Sequence, residues 1–154
     1  MDPVVRAQSP ELASLRRIRA ELRGAMSALE QALAAPTPGR PAAWVQRVDA
    51  ALTELSADFA EHVAETEGAG GTHEAALATA PRLSNSVRRL VADHAGITGL
   101  IGDLLVRVCS PVAAGEVDAV RDLGTALLSR LARHRQLGAD LIYEAYQVDL
   151  GGET

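Results

Sequence analysis

His62, His94 and His134 each interrupt an otherwise apolar stripe, and such a set suits metal coordination. Neutral imidazoles that face one another inside a protein are ready ligands for transition metals. The stripes follow a spacing of alternately three and four residues, the period of a buried helical seam. One runs Val45, Val48, Leu52, Leu55, Phe59, His62, Thr66. Another runs Leu83, Val87, Leu90, His94, Ile97, Ile101, Leu104, Val108. A third runs Val117, Val120, Gly124, Leu127, Leu131, His134, Gly138, Leu141, Ala145, Val148. The N-terminal stripe, Leu12, Leu15, Arg19, Leu22, Met26, Leu29, Leu33, is interrupted by Arg19 instead. The apolar residues set each register without help from the polar ones. Carboxylates stand nearby: Asp58 and Glu65 lie one turn either side of His62, and Asp93 adjoins His94. Three histidines with Glu65, and Asp58 within reach, make a candidate ligand set for a metal ion. Arg19 in the same layer opposes a cation unless it turns outward or pairs with an acid.

Proline and glycine delimit the elements that must carry these residues. Ser9-Pro10-Glu11 combines a capping hydroxyl, a first-turn proline and an acid near the positive end of the helix dipole. The first helix then runs to about Ala34, and Ala35-Pro36-Thr37-Pro38-Gly39-Arg40 is a turn. Pro41 opens a second helix that ends near Glu67, before Gly68-Ala69-Gly70-Gly71. Thr72 is placed to cap a short helical piece over 73–79, which leaves His73 exposed in the connection. Pro81 starts a third long helix that stops at Ser110-Pro111, and a fourth follows Gly115 to about Val148. Four long helices with short connections predict an all-α, up-down-up-down antiparallel four-helix bundle. The whole of 1–154 reads as one domain, with 1–8 a flexible N-terminus. At about 1.5 Å per residue from the helix ends, the four polar interruptions can share one layer.

The segments FAEHVAETEG, LVADHAGITGL and LARHRQLGADLIYEAY carry one inward histidine each, and this resembles the hemerythrin-like (HHE cation-binding) family. The resemblance implies a four-helix bundle that holds iron and handles oxygen species, nitric oxide or iron itself. It implies metal-ligand roles for His62, His94 and His134. Family members typically add a first-helix histidine, a glutamate four residues after the second-helix histidine, and a fourth-helix carboxylate. Here those positions hold Arg19, Thr66 and Gly138. A standard diiron site with two bridging carboxylates cannot be built from the remainder. A mononuclear or atypical dinuclear iron site, with Glu65 as a substitute carboxylate, is the form the resemblance leaves. The corresponding partners are a metal ion and a small diatomic ligand.

Composition removes other classes. The chain has 154 residues, 47% of them apolar and only 3% aromatic, an Ala- and Leu-rich mixture that favours helices. A net charge of −5 gives no general attraction to nucleic acid. Arginines cluster locally at 16, 17, 19 and 23 and at 130, 133 and 135, as solvated helix faces do. One cysteine, Cys109, cannot form an intrachain disulfide, and its neighbours suggest a small buried or half-buried filler. No membrane-spanning run and no signal-peptide core are present, so a cytoplasmic location is expected. There is no phosphate loop, CxxC, GxSxG or HExxH. Two alternatives to metal stay open. One is a metal-free bundle with a structural polar core. The other binds a small molecule or haem in the gap left by Gly138. Gly96, Gly99 and Gly102 form a small-residue strip on the third long helix, suited to packing or to a homodimer contact.

Overall fold

The computed structural model describes residues 10–37, 39–110 and 116–148, with side chains over 13–37, 39–110 and 116–146. Its elements are α1 (Pro10–Ala34), α2 (Pro41–Glu67), α3 (Thr72–Thr79), a 3-10 turn (Pro81–Leu83), α4 (Ser84–Cys109) and α5 (Val117–Tyr143). A π-helical turn, Glu144–Val148, continues α5. The four long helices form the antiparallel up-down-up-down bundle. Around the ring, α1 packs on α2 and α5, and α4 packs on the same two. Proline opens α1 and α2 where its missing N–H costs nothing. Gly39 and Gly70 adopt left-handed φ values of 69° and 72° in the connections on either side of α2. The capping role expected of Ser9, the break at Pro111, the residue Gly115 and the N-terminal tail 1–8 lie outside the described residues, as do the side chains of Leu12 and Val148.

The seams of α4 and α5 are buried as their periodicity predicts, from Leu83 to Val108 and from Val117 to Leu141, except that Gly138 is half-buried. In α2 the buried residues are Trp44, Val48, Ala51, Leu52, Leu55, Phe59 and Thr66, while Val45 and His62 of the expected seam are half-buried. Helix α1 departs from expectation. Its buried residues are Ile18, Leu22, Ala25, Leu29, Ala32 and Leu33, whereas Arg19 is exposed. The inward stripe is therefore rotated by one position. Burying Ile18 removes apolar surface, and the guanidinium beside it keeps its water. Cys109 is exposed rather than buried. Gly96 does not belong to a free strip, because the Arg130 guanidinium lies where its side chain would project.

The core falls into two apolar clusters. The larger includes Leu22, Leu29, Val48, Leu52, Leu55, Phe59, Ile97, Leu104, Leu127 and Leu131. The smaller gathers Ala76, Ala80, Leu83, Val87, Leu90, Leu141 and Ala145 where α3 folds back over one end of the bundle. The histidines occupy the boundary. His94 lies one turn from Leu90 of the small cluster and one turn from Ile97 of the large one. Among the described residues, no helix is long and apolar enough to cross a membrane.

Candidate metal centre

Helices α2, α4 and α5 deliver one histidine each to the same layer. One ring nitrogen of each of His62, His94 and His134 lies within 4.8 Å of those of the other two. His94 and His134 are buried, and His62 is half-buried. Phe59, which is fully buried, packs against all three rings at centroid distances of 5.6, 5.8 and 6.1 Å. Phe59 belongs to the larger apolar cluster, so that cluster forms the floor of the layer.

A second layer of carboxylates fixes the rings. The Nδ1–H of His134 donates to Asp93 Oδ2 at 2.7 Å. The other oxygen of Asp93 accepts from Arg130 Nε at 3.0 Å. The Nδ1–H of His94 donates to Glu67 Oε2 at 2.8 Å. A proton held on Nδ1 leaves Nε2 with its lone pair, the tautomer that metal-binding histidines adopt with an outer carboxylate. In the neutral state His62 Nε2–H then donates to His134 Nε2, 3.3 Å away. The Nε2 of His94 is buried with no partner among the described residues. An orphaned buried acceptor costs about 1–3 kcal/mol, and a metal ion is the kind of group that would satisfy it.

The spacing and charge state suit a cation. Tetrahedral coordination with metal–nitrogen bonds of about 2.0–2.1 Å places donor atoms about 3.3 Å apart, close to the His62–His134 separation. Burial pushes the His62 imidazolium down to about 3, helped by repulsion from His134, His94, His73 and Arg19. Burial also lowers His134, against the opposing effect of its hydrogen bond to Asp93. Both rings are therefore neutral near pH 7, so metal binding releases no net proton, although His62 must move its proton from Nε2 to Nδ1 to ligate through Nε2.

The other expected site residues do not join this group of converging donors. Glu65 Oε1 accepts a 2.6 Å hydrogen bond from Thr72 Oγ1. Thr72 is the first residue of α3 rather than its cap, which is Gly71. Asp58 groups with Glu21 and Glu61 on a different face. Its carboxyl is raised by burial and then by Glu21, Glu54 and Glu61. Thr66 returns its hydroxyl to the backbone carbonyls of His62 and Val63. Gly138 has no side chain to offer, and Arg19 is exposed rather than buried in the histidine layer. The donors that converge fit one ion and do not supply the bridging carboxylates of a dinuclear centre.

Two residues escaped the sequence reading. His73 is buried, and its ring stacks on that of His94 at 5.7 Å with an interplanar angle of 3°. Its Nδ1 has no partner. An eight-residue helix is too short to display a register, so periodicity held no sign of this. Glu67 was legible only as a helix end, and its pairing with His94 depends on how α2 and α4 pack.

A cavity of about 350 Å³ opens beside the histidines. Its walls include His62, His134, His73, Arg19, Arg135 and Gly138. A side chain added at Gly138 would meet nothing within 4 Å, so the gap expected there is real. No protein-family model matches this chain, and neither a curated protein nor a solved structure is significantly similar to it.

Proposed function

We propose that this chain binds one divalent transition-metal ion through His62, His94 and His134, with iron(II) as the resident metal. We further propose that it handles a small diatomic ligand such as oxygen or nitric oxide, in the manner of hemerythrin-like bundles. The observation that carries the metal reading is the buried, partnerless Nε2 of His94 beside the 3.3 Å pair of His62 and His134. Carboxylates behind His94 and His134 support it, because they fix the tautomer and raise ligand basicity. Three imidazoles accept iron, zinc, copper or nickel, so iron rests on the family resemblance. An ion with three protein ligands retains open positions and supplies Lewis-acid or redox chemistry there. Glu65 and Asp58 have no part in this donor set.

The test is metal content after expression in iron-supplemented medium, on protein without a histidine tag. The expected result is about one ion per chain, lost together when His62, His94 or His134 is changed singly to Ala. A visible spectrum that changes under nitric oxide supports iron and the diatomic ligand. Full loading with zinc but no retention of iron keeps the site and rejects iron. A second reading, a metal-free polar core, is favoured by the closed His134–Asp93–Arg130 chain. It predicts no metal after reconstitution with iron, manganese and zinc.

A further inference from the structure

The two arginine clusters of the sequence meet across α1 and α5 at the cavity. Arg19 and Arg135 both line it. Neither has a salt-bridge partner among the described residues, unlike Arg17, Arg121 and Arg130. Arg135 is lowered by burial and then by the like charges of Arg23 and Arg19. Like charges held side by side repel, and an anion between Arg19 and the partly buried Arg135 relieves that repulsion and the desolvation of Arg135. The one carboxylate in the wall, Glu65, is turned to the Thr72 hydroxyl. His73, also in the wall and buried, has an unpartnered Nδ1. Beside Thr66, Thr72, His62 and His134, the wall carries an apolar stretch that includes Leu22, Leu90 and Leu141. At about 350 Å³ the volume lies within the range of small-molecule sites.

We propose that this cavity binds a small organic carboxylate, its head paired with Arg19 and Arg135 and its apolar body against Leu22, Leu90 and Leu141. A planar carboxylate matches the guanidinium fork, and the leucines reward a hydrocarbon tail that an inorganic oxyanion lacks. This inference goes beyond the metal reading and does not require it, because the arginines and the leucines are present whether or not the histidines hold an ion.

The experiment is calorimetric titration of the full chain, stripped of metal on a chelating resin, with hexanoate, its neutral analogue hexanamide, and inorganic phosphate. Hexanoate is expected to bind roughly tenfold or more tightly than either control, as a charge-assisted pair with an apolar tail requires. Arg135→Gln is expected to remove that preference. Gly138→Leu fills open space and is expected to abolish hexanoate binding without lowering the melting temperature. Equal binding of hexanoate and hexanamide overturns the proposal, as does phosphate binding at least as tightly as hexanoate. No hexanoate binding at millimolar concentration overturns it as well. Working on metal-free protein separates this result from the metal site: failure here leaves metal loading untouched, and failure to load metal leaves this test standing.

Discussion

At His94 one ring nitrogen is committed to Glu67 and the other has no partner among the described residues. His134 is held in the same way by Asp93, which Arg130 holds in turn. Asp93→Asn removes the charge that orients His134, and it should weaken metal affinity by about 10- to 100-fold with helix content unchanged. Competition with a coloured chelator reads this directly, and an unaltered affinity would show that Asp93 serves packing alone. The buried histidines also set a pH dependence. His62, His73 and His134 all have folded values below the unfolded 6.5, so the unfolded chain binds more protons in acid. Their contribution is intact above pH 6.5 and is lost as pH falls through 6.5 toward about 3, the value for His62. Urea melts of metal-free protein between pH 7.5 and 4.5 should show a midpoint that declines steadily. A flat profile would mean that these rings are solvated.

Element packing explains what the sequence could and could not disclose. The seams of α4 and α5 were legible throughout because Leu, Ile and Val repeat there without competition. Helix α1 was misread by one position. Leu15, Leu22 and Leu29 satisfy both the series through Arg19 and the series through Ile18, while the buried Ala25 and Ala32 give weak signals. The structure separates the two. Ile18→Ala should cost about 2–5 kcal/mol in a denaturant melt, and Arg19→Ala less than about 0.5 kcal/mol. The reverse order would restore the inward Arg19. Gly96 makes a related point at the α4–α5 contact. Any side chain there meets the Arg130 guanidinium, so Gly96→Ala should displace Arg130 from Asp93 and lower metal affinity in the direction of Asp93→Asn. Wild-type affinity in Gly96→Ala would mean that Arg130 adjusts without releasing Asp93. The glycine spacing suggested packing, but it held no hint that the packed group was the protein's own arginine.

Across the whole molecule, a polar layer separates two apolar clusters, and α3 closes one end over it. That layer was visible in advance as three histidines in phase with three stripes. The fourth histidine, Glu67 and the cavity were not, because they depend on how α3 folds back and on the angle at which α2 meets α4. The layer is also the least apolar part of the core, so an ion there would tie three helices together and stabilise the fold by mass action. The most direct test records the imidazole nitrogen resonances by long-range proton–nitrogen NMR, before and after one equivalent of zinc(II). The account predicts that the Nε2 signals of His62, His94 and His134 shift together, while their Nδ1 signals shift less and His73 remains a bystander. If none of the three moves, or if one moves alone, no shared metal site exists and the layer is a hydrogen-bonded core.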